Sequence, residues 1–203
     1  MKFGPKYKIC RRVGERVFGK CDDPKFDMTP PVRPQSKRGG RRSRSEFGMQ
    51  LLEKQKVRFT YGVSERQFAN YIAKVSASHG KNPAELLYES LERRLDNVVF
   101  RTGIVTSRAH ARQLVSHGHV LINGKKVNIP SYQVRPGEKV QVRERTQGSP
   151  MFANIADRLK TYAHPEWLVF DEKNFEATVK GIPHFTATEV PYNLTSVIEF
   201  YSR

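Results

Sequence analysis

The dipeptide Asn123-Gly124 constrains this chain more than any other two residues. It lies between the strand-like run Val120-Leu121-Ile122 and the pair Lys125-Lys126. Both turn residues tolerate positive φ, so they predict a two-residue hairpin with antiparallel arms and the lysines projecting from its return. Just upstream, Thr106 or Ser107 caps a short helix with Ala111, Leu114 and Val115 on one side and Arg108 and Arg112 one turn apart on another, closed at Gly118. Downstream, Pro136-Gly137 marks a second turn before Lys139-Val140-Gln141-Val142, whose alternating polarity reads as another short strand.

The residues before this hairpin follow a helical period. Ser45 is a candidate N-cap, with Phe47, Leu51 and Leu52 starting an apolar face opposite Lys54 and Lys56, and Gly62 ending or bending the helix. Ser64 with Gln67 three positions later is a capping-box signature, followed by Phe68, Tyr71, Ile72 and Val75 and a stop at Gly80. Asn82-Pro83 opens a further helix, whose apolar positions Leu87, Leu91, Leu95, Val98 and Val99 continue to Gly103. After residue 150, Met151, Ile155 and Leu159 predict a helix ending before Pro165, while Trp167 to Phe170, Phe175 to Val179 and Val197 to Tyr201 have strand-like composition.

These elements predict an α+β chain in four segments. Residues 1–45 form a basic, partly extended N-terminal arm, and 46–90 the helical part of an N-terminal domain. Residues 91–155 form a small α/β domain, helices followed by a short antiparallel sheet. The C-terminal helix and strands of 156–203 pack back to complete the N-terminal, helical domain.

Charge supplies the function class. Lysine and arginine number 36 against 20 acids, a net +16 that calls for a polyanionic partner. The excess sits in two blocks, 1–58 and 101–150, around a neutral 59–100, and two blocks suggest two contact surfaces. Nucleic acid leads and an anionic membrane comes second, weakened because no apolar run approaches the roughly 18 residues of a spanning helix. Lys2, Lys6 and Lys8 precede no signal-peptide core, so the expectation is a soluble, intracellular chain with no membrane partner.

Cys10 and Cys21 are too few for a disulfide framework and lack the spacing of a zinc ribbon, so reduced thiols are expected. The six histidines offer no paired spacing to complete a metal site. No metal, no cofactor and no catalytic residue is therefore expected.

The first basic block is poor in core material between Cys21 and Ser45, interrupted by Pro24, Pro30, Pro31 and Pro34, and then runs Lys37-Arg38-Gly39-Gly40-Arg41-Arg42-Ser43-Arg44. Such a segment cannot offset its ordering entropy by apolar burial, so it should stay loose until phosphates neutralise it. The second block holds nine basic groups against only Glu138 and Glu144. Arg101, ending one helix, and Arg108 and Arg112 on the next can meet one phosphate-lined surface. A-form RNA hides its base edges in a deep major groove, so this platform should read backbone shape and junction geometry.

The run Leu91-Glu92-Arg93-Arg94-Leu95-Asp96-Asn97-Val98-Val99-Phe100-Arg101-Thr102-Gly103 strongly resembles the first helix of the RNA-binding domain of the small-subunit ribosomal protein four (S-four) family. Ser107-Arg108-Ala109, Arg112 through His119, Ile122 through Val127, Ile129 through Tyr132 and Pro136-Gly137 resemble its continuation. Related domains occur in pseudouridine synthases, tyrosyl-tRNA synthetases and a heat-shock protein, so the flanks decide. Gly4-Pro5-Lys6 with Arg11-Arg12, Glu53 through Arg58, Tyr61-Gly62-Val63 with Glu65 through Phe68, Trp167-Leu168 and the run Glu199 through Arg203 all resemble the ribosomal family. A modifying enzyme would need a catalytic aspartate in a sizeable separate domain, and nothing outside 91–142 is large enough. A regulator of its own operon would use the same surface and stays open.

The resemblance implies a cytoplasmic, early-assembling component of the small subunit of a bacterial-type ribosome, not an enzyme. It would bind a multi-helix junction in the 5′ domain of 16S-type rRNA, contact ribosomal protein five, and place Arg41, Arg42 and Arg44 along the channel where mRNA enters, influencing decoding accuracy. With the charge map it singles out Arg11, Arg12, Lys54, Lys56, Arg58, Arg101, Arg108, Arg112, Lys125, Lys126, Arg135 and Arg143 as candidate rRNA contacts. Two departures stand out: Pro34 through Gly40 replaces a PGQHG-like segment of many members, and two cysteines stand where zinc-binding members carry four.

Overall fold

The computed structural model describes residues 3–28, 45–78, 80–149, 152, 159, 162–171, 174–185 and 190–202. The basic run Lys37 to Arg44 and most of the helix expected over Met151 to Leu159 lie outside these. The chain divides into two compact units, Met1–Leu87 with Thr186–Arg203, and Tyr88–Phe185.

In the first unit, part of the expected arm is helical. α1 (Lys6–Val13) stops at Gly14, whose φ of 81° lets its N–H cap Cys10 O, and a 3-10 turn (Gly19–Asp22) leads into α2 (Pro24–Met28). The turn brings Cys21 back against α1, and the two cysteines, both almost fully buried, form a disulfide with Cα atoms 7.0 Å apart. This corrects the expectation of free thiols: spacing in sequence does not report that the chain doubles back.

α3 (Glu46–Tyr61) has its Ser45 cap accepting from Gly48 N and its αL stop at Gly62. Its buried face is not the predicted one. Gln50, Lys54, Val57 and Tyr61 point inward, while Phe47 and Met49 are exposed. α4 (Glu65–Ser76) is capped by Ser64, which accepts from Gln67 N, and buries Phe68, Ile72 and Val75; it ends at Ala77, before the expected Gly80.

Residues Val197 to Tyr201, expected as a strand, belong to a helix instead, labelled α9 (Leu194–Tyr201). Asn193 Oδ1 accepts from Ser196 N at its start, and Leu194, Val197 and Tyr201 fall at helical spacing. A run of β-prone residues was outvoted by a good cap and by an apolar face that packs on α3 and α4.

The division between units falls inside α5 (Pro83–Glu92), which opens as expected with Asn82 Oδ1 accepting from Ala84 N. One continuous helix to Gly103 was expected, but α6 (Leu95–Arg101) is separate. Arg94 adopts extended dihedrals (φ −63°, ψ 135°) and makes an isolated antiparallel bridge to Gln133, so the ladder of helical hydrogen bonds is exchanged here for tertiary ones. Leu95 N donates to Tyr132 O and Asp96 N to Pro130 O.

α7 (Arg108–Ser116) starts at Ser107, which accepts from His110 N. The hairpin forms as predicted: β1 (Val120–Ile122) pairs β2 (Lys125–Lys126) across Asn123 (φ 48°) and Gly124 (φ 78°), and β3 (Lys139–Val142) pairs the other edge of β1. A single turn, α8 (Glu144–Gln147), follows. β4 (Leu168–Asp171) and β5 (Glu176–Val179) then complete a five-stranded sheet of order β2-β1-β3-β5-β4, antiparallel throughout. The sequence assigned 156–203 to the N-terminal domain; these two strands instead extend the second unit's sheet, and the stretch Thr186–Arg203, with α9, belongs to the first.

The core of the second unit runs from Leu95, Val98 and Val99 through Leu114 and Val115 to Val120, Val140, Val142, Leu168 and Val179. Sheet and helices are thereby one packed body, and α6 against α7 presents arginines from two rigid elements.

Candidate nucleic-acid interface

The α6–α7 pair is organised around two carboxylates that the sequence reading did not single out. Glu92 is fully buried and accepts from Arg101 Nε and Nη2, both at 2.8 Å. Its Oε2 also accepts from Asn97 Nδ2 at 2.9 Å, which turns Asn97 Oδ1 toward Arg108 Nε at 2.7 Å. Arg108 lies over the Phe100 ring, 4.3 Å from its centroid. Asp96, 3% exposed, accepts from the buried Arg94 at 3.1 and 2.9 Å, and from Arg112 Nε and Nη2 at 2.7 and 2.5 Å.

The carboxylates and Arg94 are inside and the remaining arginines at the rim: the Arg101 and Arg112 side chains keep 26% and 23% of their exposure. Bidentate arginine–carboxylate contact fixes both position and plane. Tyr162 covers this end of α6, its ring so close over Gly103 that a β-carbon there would lie 2.8 Å away. Burial raises the Tyr162 phenol, against the charges of Arg101 and Arg108 and reinforced by Glu92. The acids that balance the 101–150 block thus come from just upstream of it. No sequence signal marked them, because only burial distinguishes Glu92 and Asp96 from surface acids.

The other candidates of this unit are exposed. Lys125 and Lys126 stand on the return strand of the hairpin, with the Lys126 side chain lying beside Gly118 at the end of α7. Arg135 and Arg143 are exposed at the two ends of the loop and strand that hold β3, their backbone N–H groups donating to Glu138 Oε2 and His119 O.

In the first unit the candidates divide. Arg12 is exposed, and Arg11 donates to Phe26 O while lying over the Phe26 ring. Lys54, expected to face solvent, is instead 7% exposed, donates to Glu65 Oε1 at 2.6 Å, and sits under Phe200 and Tyr201. Arg58 reaches Glu65 and Gln55, and Lys56 reaches Glu53, both with side chains largely covered. Tyr201 also donates to Glu65. Burial pushes the Glu65 carboxyl up, but the hydrogen bonds of Lys54 and Tyr201, with the charges of Lys54 and Arg58, hold it below the ordinary value. These three side chains pack the fold as the structure stands. Arg41, Arg42 and Arg44 lie outside the described residues.

Among the described residues no group of three or more His, Cys, Asp or Glu is arranged to hold a metal ion, and no helix is long and apolar enough to cross a membrane.

The S4 domain family matches residues 93–140, and the family described as the ribosomal protein S4/S9 N-terminal domain matches residues 2–92. The chain is 43% identical over 206 residues to the small ribosomal subunit protein uS4 of Aquifex aeolicus, covering 98% of this chain and 97% of that one. It is 42% identical to the protein of that name from Natranaerobius thermophilus and 43% identical to that from Phocaeicola vulgatus, with 98% of each chain covered in both comparisons. These names are those of a ribosomal subunit protein and not of an enzyme. With identity above 40% running across nearly its full length, the chain belongs to the uS4 family of small ribosomal subunit proteins.

Proposed function

We propose that this chain is a structural component of the small ribosomal subunit that binds rRNA. The observation that carries the reading is the similarity over 98% of the chain to proteins of that subunit. The arginine rim of α6 and α7 supplies a means. Arg101, Arg108 and Arg112 project from two packed helices, and rigid elements of this kind recognise backbone geometry, the accessible feature of A-form RNA. Lys125 and Lys126 add phosphate contacts from the hairpin, Arg135 and Arg143 widen that surface, and Arg11 and Arg12 supply contacts of the first unit by itself.

In its finer form the reading is that this surface docks on a multi-helix junction in the 5′ domain of 16S-type rRNA early in assembly. Arg41, Arg42 and Arg44 then line the channel where mRNA enters, affecting passage of structured mRNA and decoding accuracy, and the protein borders ribosomal protein five. Family resemblance and the position of the arginine run support these points. Lys54, Lys56 and Arg58 take no direct part, because their charges are used within the first unit.

The test is binding of the full chain to transcribed 5′-domain rRNA across a salt series, with co-sedimentation on salt-washed small subunits. Tight, stoichiometric binding with a steep salt slope is expected. Release by salt washing at substoichiometric level would point to a modifying factor and sink the reading.

A further inference from the structure

Arginine beside a carboxylate is, on charge alone, a poorer ligand for phosphate than arginine by itself. Glu92 and Asp96 nevertheless sit directly behind the arginine rim, almost wholly buried. Resting on the rRNA-binding reading above, we propose that Glu92 and Asp96 are positioning residues for RNA binding, which lock Arg101, Arg108 and Arg112 into the orientation the phosphate backbone requires.

The geometry assigns Glu92 two arginines. Its two oxygens hold Arg101 by Nε and Nη2, which fixes the guanidinium plane. It also dictates Arg108 through Asn97, whose Nδ2 donates both to Glu92 Oε2 and to the Glu92 backbone carbonyl at 3.1 Å. With the amide nitrogen committed on both bonds, the carbonyl oxygen must face Arg108. Asp96 holds Arg112 by the same pair of nitrogens, while its bonds to Arg94 tie it to the core.

A long arginine side chain loses rotamer freedom when it meets a phosphate, and that cost normally subtracts from affinity. Here the loss is incurred during folding. The two carboxylates therefore weaken the local potential yet strengthen binding, a trade that holds only when orientation outweighs charge.

That opposition in sign gives the test. Full-chain protein is titrated against transcribed 5′-domain rRNA as wild type, Glu92→Gln, Arg101→Gln/Arg108→Gln, and all three changes together. Glu92→Gln makes the protein more positive by one charge, yet should bind about tenfold more weakly. The loss should vanish in the background lacking both arginines. Equal or tighter binding by Glu92→Gln, or the same loss in both backgrounds, would overturn the proposal. If thermal melting finds Glu92→Gln unfolded, Arg108→Lys decides, because it keeps the charge but loses the Nε that Asn97 holds. Severalfold weaker binding supports the inference and undiminished binding overturns it. Failure of the wild type to bind the rRNA would instead overturn the rRNA reading itself and this inference with it.

Discussion

The two units use ion pairs with opposite polarity. Around α3 the cation is inside and the acid outside: the Lys54 side chain is 9% exposed and that of Glu65 46%. Around α6 the acid is inside and the cation outside, with Glu92 at 0% and Arg101 at 26%. A lysine drawn under two aromatic rings has its charge used within the protein. An arginine held at a rim by a buried carboxylate presents a fixed guanidinium to whatever lies outside. The side of the pair that reaches solvent, more than the number of charges, separates a packing contact from a ligand surface.

The largest expected effect breaks the buried half of the second arrangement. Asp96→Asn removes the charge that Arg94, 1% exposed, addresses at 3.1 and 2.9 Å. It should destabilise the second unit by about 3–5 kcal/mol, since removing the charge of one member of a buried ion pair is strongly destabilising. Hydrogen exchange resolved by unit checks this; loss spread evenly over both units would break the comparison.

Next comes the rim. Changing Arg101 and Arg112 together to Gln should flatten the salt dependence of rRNA binding by about one unit of slope per lost phosphate contact, measured at a temperature where melting shows the variant folded. An unchanged slope would remove these two from the surface.

The first unit sharpens the contrast from the other side. Lys54→Met keeps the stem that packs under Phe200 and Tyr201 and leaves Glu65 half in water, so it should cost only about 1 kcal/mol or less. Affinity for rRNA should not change. A marked fall in affinity would return Lys54 to the contact surface.

The smallest effect is a pH dependence. The folded state holds the Glu65 carboxyl below its ordinary value, so the stabilisation it gives is present above the unfolded value near 4.5 and fades as pH falls through the lower, folded one. Wild type should thus lose slightly more stability than Glu65→Gln between about pH 5 and pH 3 in acid titrations followed by melting. Identical acid profiles would argue against a charged Glu65 at this site.

Much of the fold was legible because its signals are local. Ser45, Ser64, Asn82 and Ser107 cap the helices that follow them, and Asn123-Gly124 turns the hairpin, since each satisfies nearby backbone groups or a required φ. The break at Arg94 was not legible, because the Gln133 bridge that replaces helical bonding comes from a distant part of the chain. For α9 the β-prone composition of Val197 to Tyr201 hid a helical spacing that matters only once α3 offers a surface to cover. Of the site, the arginines could be named from charge and spacing; their counter-charges could not, because Glu92 and Asp96 look like ordinary surface acids until burial is known.

The sequence by itself determined that this chain is a basic α+β protein with a capped helix feeding a tight hairpin, and that its resemblance runs across nearly its whole length. Caps, turns and apolar periods act within a few residues, and composition needs no fold to be read. Only the tertiary structure decided that Cys10 meets Cys21, that β4 and β5 extend the hairpin's sheet, and that Lys54 faces inward while Arg101 and Arg112 face out. Each of these depends on desolvation or on a partner far along the chain, and neither exists before the chain has packed.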